Sequence, residues 1–168
     1  DAPYQLLLLY NPPVILHTNP DIFAGDLPIE PLYRDPLLCV VPKDYRKRED
    51  TPYMTPDEMK DQVFVSQMET TDADIAIFMK QNGLGNVRMD YHVVDDLSTI
   101  ALVAAGLGIC IMPELVMNDI PYEVHRYPMM PEAYRVIGIS ALNPNFLAPA
   151  VKMLYQHVVE KYKTIEEA

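Results

Sequence analysis

The chain has 168 residues, of which 49% are hydrophobic, so it can bury a core in one domain or in two small lobes. Its 24 acidic and 13 basic side chains give a net charge of −11, which repels nucleic-acid phosphates and anionic lipid head groups. No apolar run is long enough to span a bilayer and no signal peptide is visible, so neither DNA nor a membrane is expected to bind this chain directly.

Apolar runs in the first quarter of the chain predict one helix and several extended segments. Residues 2–10 are apolar on all sides and predict a buried helix. Residues 14–17 predict a short buried strand. An extended segment is predicted at residues 29–33, and a clearer strand at residues 36–42.

Helices and strands alternate from residue 55 to residue 112. Thr55-Pro56-Asp57-Glu58 has the spacing of a capping box with proline at the first helical position, which predicts a short helix. A strand at 63–66, a helix from the cap Asp72 to the stop Gly83, and a strand at 87–94 follow. This alternation predicts parallel strands joined by right-handed crossovers.

Residues 93–114 predict a strand, a helix and a second strand with almost no loop between them. Asp95 or Asp96 can cap the helix, because a carboxylate there accepts from free N–H groups of the first turn. Gly106 suits the left-handed residue that ends a helix, and Gly108 allows close backbone packing. Residues 109–112 form the apolar run of a strand covered on both faces. One helix face is predicted to be apolar: Leu97, Ile100, Ala101 and Ala104.

Extended segments at 122–127 and 134–140 and a helix at about 146–163 complete the predicted elements. The helix has a predicted apolar face, formed by Leu147, Val151, Leu154, Tyr155, Val158 and Tyr162.

The sequence contains no motif of a catalytic, cofactor or metal site. Cys39 and Cys110 lie in apolar strand runs, which favours buried thiols over a redox or disulfide role and fits a reducing compartment. The four histidines lack the spacing of metal ligands. No nucleophile elbow, P-loop or complete dinucleotide motif is present, although catalytic groups can also converge from distant positions.

Polar residues follow predicted strands at three places: His17-Thr18, residues 66–71 and Asp95-Asp96. Ligands of open parallel sheets bind beyond the carboxyl ends of strands, where backbone N–H groups of helix starts could hold an anion. Simple loop or cap roles remain the alternative for Thr70, Thr71 and Asp96.

The charge near these junctions argues against an anionic ligand. Glu69, Asp74 and Asp95 lie close in sequence to the junctions, and no Lys or Arg occurs between Lys60 and Lys80. Each uncompensated carboxylate would repel an anion by about 1 kcal/mol. We therefore expect a neutral, zwitterionic or cationic ligand with polar contacts from Ser66, Thr70 and Thr71. His17 could add a pH-sensitive contact, a core or solvated histidine being the alternative.

Three stretches of the sequence carry a family resemblance. ALVAAGLGI at residues 101–109 is followed by an apolar strand and Pro113-Glu114. Residues 30–44 are EPLYRDPLLCVVPKD, and YRVIGI at residues 134–139 is a weaker third match. In this order and separation, they resemble the effector-binding domain of LysR-type transcriptional regulators over roughly residues 1–162.

The resemblance implies a two-lobed, periplasmic-binding-protein-like (type 2) α/β fold, whose lobes are joined by crossing strands. Lobe I would comprise residues 1–42 and 136–168, and lobe II residues 43–135. The family domain opens with a strand, a helix and a strand ahead of the helix matching residues 2–10. Without them lobe I is expected to be incomplete, leaving an unpaired edge at residues 14–17.

The resemblance also implies a function: binding of a small-molecule effector between the lobes, without catalysis. The change would pass to DNA through a helix-turn-helix that would lie upstream, in a cytoplasmic homodimer or tetramer of the full-length protein. A solute-binding protein of a transport system is the main alternative, and an enzyme of the same fold class is another. The expected effector contacts are His17, Thr18, Ser66, Met68, Glu69, Thr70, Thr71 and Asp96.

Overall fold

The computed structural model describes residues 15–18, 29–67, 73–141 and 144–162. The predicted helix at residues 2–10 and the predicted cap Asp72 lie outside them. The elements in chain order are β1 (Ile15–Thr18), β2 (Ile29–Pro42), α1 (Pro56–Met59), β3 (Val63–Gln67), α2 (Ala73–Gln81), β4 (Arg88–Val93), α3 (Asp96–Ala104), β5 (Cys110–Pro113), a 3₁₀ helix (Glu114–Met117), β6 (Val124–Pro128), β7 (Tyr134–Ser140), a second 3₁₀ helix (Pro144–Phe146) and α4 (Pro149–Tyr162).

The chain divides into two compact units, each with strands and helices. Unit 1 comprises Asp1–Arg34 and Val136–Ala168, and unit 2 comprises Asp35–Arg135. Because unit 2 is one uninterrupted segment, the chain passes between the units twice, once within β2 and once within β7. The first passage lies after Arg34 and the second after Arg135.

Unit 2 is built on a mixed sheet. β3 and β4 pair in parallel, with Ser66 opposite His92. Ile109, directly before β5, exchanges backbone hydrogen bonds with Val63 and Val65, so β5 continues the sheet parallel to β3. β2 then pairs antiparallel with both β5 and β6. The strand order is therefore β4-β3-β5-β2-β6, and the predicted parallel pairing is confirmed for β3, β4 and β5.

The core of unit 2 is divided between the two faces of this sheet. Leu37, Cys39 and Val41 of β2 face one cluster, which includes side chains of α1 and α2. Leu38 and Val40 face the other cluster, which includes side chains of α3 and the first 3₁₀ helix. All four residues of β5 are buried, which confirms the prediction of a strand covered on both faces.

Local sequence signals determine several element ends. The Thr55 hydroxyl accepts from the Glu58 amide, and the Glu58 carboxylate accepts from the Thr55 amide, as the capping-box spacing predicts. Gly106 has a φ of +81° after α3, a conformation that favours glycine. A Cβ on Gly108 would lie 2.4 Å from the carbonyl oxygen of Val63, so the predicted close approach is confirmed.

Unit 1 has β7 at the centre of its described strands. β1 pairs antiparallel with β7, with Ile15 opposite Ser140, and β2 lies on the other side of β7. The predicted strands at residues 14–17 and 134–140 are confirmed to within one residue. Within the described residues β1 is the terminal strand of this sheet.

Three details of the predicted elements are wrong. Residues 29–42 form one strand rather than two segments, because Pro36 lies just before the stretch that pairs with β5 and β6. In α3 the buried residues are Thr99, Ile100 and Val103, whereas Leu97 is exposed. The Thr99 hydroxyl donates to the carbonyl oxygen of Asp95, which lets this side chain turn inward.

The third detail concerns α4, in which no residue is fully buried and Leu154 is exposed. Val151, Tyr155, Val158 and Tyr162 are half-buried at successive spacings of four, three and four residues. Leu154 lies at the margin of this stripe and therefore does not join it.

Candidate functional site

The carboxyl ends of β3, β4 and β5 lie at one edge of the unit 2 sheet, because these strands run parallel. β2 runs antiparallel to β5 with Leu37 opposite Pro113, so the chain also enters unit 2 at this edge. We call Ser66, residues 94–97, residues 113–115 and Asp35 the strand-end edge. It is the edge at which ligands of open α/β sheets bind.

The turn between β4 and α3 is fixed by a helix cap. The Asp95 carboxylate accepts from the Ser98 amide at 2.8 Å and from the Ser98 hydroxyl at 2.7 Å. These hydrogen bonds lower the pKa of Asp95, since they stabilise its charged form. Of the two predicted caps, Asp95 therefore fills the role, and Asp96 is the first helical residue, with a half-buried side chain.

Apolar side chains are exposed at the strand-end edge. Val94 is 80% exposed, Leu97 53% and Leu115 42%. Sequence reasoning did not assign any of them to the site, and it placed Leu97 on a buried helix face. The shortness of the loop between β4 and α3 is the signal that could have identified Val94, because such a loop leaves little chain to cover it.

A buried ion pair lies at the same edge. Asp35, whose side chain is fully buried, accepts from the Arg135 Nε at 2.9 Å and from the Leu115 amide at 3.0 Å. Sequence reasoning missed this pair, although both residues lie within stretches that carry the family resemblance. Arg135 thus brings a cation to the edge, but its guanidinium is engaged by Asp35.

The structure brings two of the predicted site residues to the strand-end edge. Ser66 is half-buried next to the end of β3, and Asp96 follows β4. His17 and Thr18 belong to β1 in unit 1. The remaining four predicted residues lie outside the described residues: Met68, Glu69, Thr70 and Thr71.

The described residues contain no group of three or more His, Cys, Asp or Glu side chains that could hold a metal ion. Within the same ranges, no helix is both long and apolar enough to cross a membrane. Cys39 and Cys110 are buried free thiols, as predicted.

Comparison with known families identifies the chain. Residues 14–163 match the LysR substrate binding domain. The chain belongs to this family. The match confirms the family predicted from the sequence, which is one of ligand-binding regulatory domains rather than of enzymes.

A curated relative of this LysR substrate-binding domain is the uncharacterized HTH-type transcriptional regulator YybE of Bacillus subtilis (strain 168). The two are 31% identical over 86 residues, which is 51% of this chain and 29% of the relative. The match thus spans less than a third of the length of that regulator.

Solved structures confirm the predicted two-lobed fold class. The regulatory domain of CcmR from Synechocystis PCC6803, in complex with 2-PG, has a TM-score of 0.79 at 13% identity, covering 97% of this chain and 79% of that one. The effector binding domain of QuiR in complex with shikimate has a TM-score of 0.75 at 17% identity, covering 97% and 78%. Full-length BenM E226K has a TM-score of 0.77 at 16% identity, covering 97% and 55%.

Proposed function

We propose that this domain is the effector-sensing part of a bacterial LysR-type transcriptional regulator. It binds a small molecule and relays the change to a separate helix-turn-helix domain. The family match over residues 14–163 carries this proposal. The relative named as an HTH-type regulator and the neighbours solved with 2-PG and shikimate support it. A ligand can relay a change only if it binds two arrangements of the protein with different affinity.

The proposed contacts lie at the strand-end edge of unit 2 and at β1 of unit 1, units that we equate with lobes II and I. Unit 2 contributes Ser66 and Asp96 together with Met68, Glu69, Thr70 and Thr71. Unit 1 contributes His17 and Thr18. The parallel direction of β3, β4 and β5 supports this choice, since it gathers several strand ends at one edge.

The ligand that fits this edge is neutral, zwitterionic or cationic and has an apolar part. Asp95 keeps its negative charge because the cap lowers its pKa, and Asp96 adds a second carboxylate. The exposed Val94 and Leu97 side chains offer apolar contact beside these charges. The cation that the described structure brings to the edge is already paired with Asp35.

Isothermal titration calorimetry tests the ligand class with three sets of probes: primary amines, neutral amino acids and dicarboxylates. We expect saturable binding in the first two sets, without turnover of the bound compound. The Asp96→Asn substitution should weaken binding of a cationic amine about tenfold, since it removes an attractive charge.

Asp61→Asn provides the matched control. Asp61 precedes β3 and therefore lies at the opposite end of that strand, so its substitution should leave amine affinity unchanged. Tight binding of dicarboxylates alone would refute the proposed ligand class. Steady conversion of any probe would contradict a purely sensing role.

For the intact regulator we propose a cytoplasmic homodimer or tetramer that contacts DNA through its helix-turn-helix domain alone. The charge of −11 on this chain supports the assignment of DNA contacts elsewhere. Sequencing the parent reading frame upstream of Asp1 tests it, because a signal peptide in place of a helix-turn-helix would indicate a transport protein.

A further inference from the structure

Asp35 connects three parts of unit 2 that are distant in sequence. One carboxylate oxygen accepts from Arg135, where the chain leaves unit 2, and the other accepts from the Leu115 amide in the first 3₁₀ helix. Asp35 itself lies where the chain enters the unit. One buried side chain thus holds the entry, the exit and the turn after β5 together.

The first 3₁₀ helix depends on this carboxylate for a cap. Its own N-cap residue is Pro113, whose side chain makes no capping hydrogen bond. The Leu115 amide, in the first turn, is instead satisfied by Asp35 from β2. A charged acceptor is well suited to the start of a helix, where backbone N–H groups lack partners.

A second bond lies close to the first. The Leu37 amide donates to the Ala133 carbonyl oxygen at 2.8 Å, and these residues lie two positions from Asp35 and Arg135, on the unit 2 side of each. The boundaries of unit 2 fall directly outside this pair, before Asp35 and after Arg135. We call the hydrogen bonds that join Asp35 to Arg135 and to Leu115 the lock. The lock therefore lies where the chain enters and leaves unit 2.

We infer that Asp35 is a positioning residue that couples the turn after β5 to both connections between the units. A displacement of residues 113–115 at the strand-end edge changes the Leu115–Asp35 bond and, through the shared carboxylate, the Arg135 contact. The coupling runs equally in the other direction, because linked equilibria are reciprocal. The inference rests on the proposed function only for its input, since a bound effector would supply the displacement.

Amide hydrogen exchange measured by NMR tests this coupling in the absence of a ligand. Arg135→Gln removes the guanidinium, which bonds to one oxygen of Asp35, whereas the Leu115 amide bonds to the other. We expect exchange of the Leu115 amide to rise about tenfold or more, since Asp35 loses its charged partner. Arg135→Lys keeps a cation and should give an intermediate rate.

Two controls separate coupling from general loss of stability. Arg88→Gln removes an ion pair with Asp90 on β4 and should leave Leu115 exchange unchanged. The Ile109 amide, which donates to the Val63 carbonyl oxygen between β5 and β3, reports opening of the core and should respond far less than Leu115 to Arg135→Gln. Equal acceleration at Leu115 and Ile109, or no acceleration at Leu115, would overturn the inference.

The outcome is distinguishable from failure of the proposed function. If no probe binds but exchange of the Leu115 amide rises selectively in Arg135→Gln, the inference about Asp35 is supported and the proposed effector role is refuted. If amines bind and Asp96→Asn weakens their binding, but exchange of the Leu115 amide is unchanged in Arg135→Gln, the proposed effector role is supported and the inference about Asp35 is refuted.

Discussion

Lys47 and Glu58 form an ion pair that is shielded from solvent in unit 2. The Lys47 Nζ lies 3.0 Å from the Glu58 Oε1, and the two side chains are 8% and 4% exposed. Desolvation raises the pKa of Glu58, but hydrogen bonds from Lys47 and Thr55 outweigh it, so the net pKa is lowered. The folded state therefore stabilises the charged carboxylate.

This lowered pKa predicts a specific pH dependence for Glu58→Gln. The Glu58 contribution is fully present above its unfolded pKa of about 4.3 and is lost as pH falls through the lower folded pKa. At pH 7 the substitution should reduce the free energy of unfolding by about 3 kcal/mol, because Lys47 keeps a buried, unpaired charge. Urea denaturation at pH 7 and at pH 3 measures the free energy of unfolding of the variant and of the unchanged chain. The difference between the two should be smaller at pH 3.

Asp61→Asn is the control for this measurement. The Asp61–Arg48 pair is exposed, so its loss should change the free energy of unfolding by less than about 1 kcal/mol at pH 7. A Glu58→Gln effect that stays constant between the two pH values would contradict the assigned role of the ion pair.

The two cysteines lie on opposite faces of the unit 2 sheet. Cys39 is opposite Ile111 and packs in the same cluster, whereas Cys110 is opposite Val40 and packs in the other. Adjacent strands place directly opposite side chains on the same face, so the thiols point apart and cannot form a disulfide with each other. Burial is also the main cause that raises the pKa of both thiols.

We predict that neither thiol reacts with Ellman's reagent in the folded chain. Only the thiolate is nucleophilic, and both burial and a raised pKa keep its population low. Absorbance at completion should show two thiols in denaturant and almost none within minutes under native conditions. Rapid release of one equivalent of the coloured product from the folded protein would contradict the prediction, because it would show that a cysteine is accessible.

At the scale of elements, one glycine lets neighbouring strands approach. Gly108 precedes β5, and its backbone lies against Val63 of β3. The carbonyl of Val63 cannot move away without breaking its hydrogen bond with the Ile109 amide. The junction of β3 and β5 therefore tolerates no side chain at this position.

Gly108→Ala should lower the free energy of unfolding by about 3 kcal/mol, because overpacking against backbone is poorly relieved. Gly85→Ala is the matched control, since a Cβ there has no neighbour within 4 Å and the residue does not have positive φ. It should be neutral or stabilising by a few tenths to about 1 kcal/mol. Thermal unfolding followed by circular dichroism distinguishes the two, and equal stabilities would refute the packing argument.

Element ends were predictable where the signal is local. The Thr55 capping box and Gly106 act through neighbouring backbone groups, and both were assigned from sequence alone. The buried face of α3 was not predicted correctly, because the sheet on which the helix packs determines whether Leu97 or Thr99 is buried. The Asp35–Arg135 pair joins residues 100 apart, a contact that no periodicity encodes.

At the scale of the whole molecule, unit 2 has the features of an independent folding unit. It is continuous in sequence, and its sheet is covered by core clusters on both faces. The part of β2 from Leu37 to Pro42 is an interior strand of this sheet, because it pairs with both β5 and β6. Independent folding thus requires that this stretch be included.

We predict that a fragment of residues 35–135 folds alone and unfolds cooperatively in urea. A fragment of residues 43–135 is the matched control, because it lacks the strand that joins β5 to β6 and should remain unfolded. Near-ultraviolet circular dichroism and the dispersion of amide resonances measure both. Cooperative unfolding of the shorter fragment would show that the β2 stretch is dispensable.

The bond between the Leu37 amide and the Ala133 carbonyl has an evolutionary consequence. The two ends of unit 2 are neighbours in space. Recombination at both ends can therefore replace the whole of unit 2 and leave the chain of unit 1 continuous. A protein assembled in this way can acquire a new ligand-binding unit in one step. The replacement unit must bring its own equivalents of Asp35 and Arg135, because both belong to unit 2.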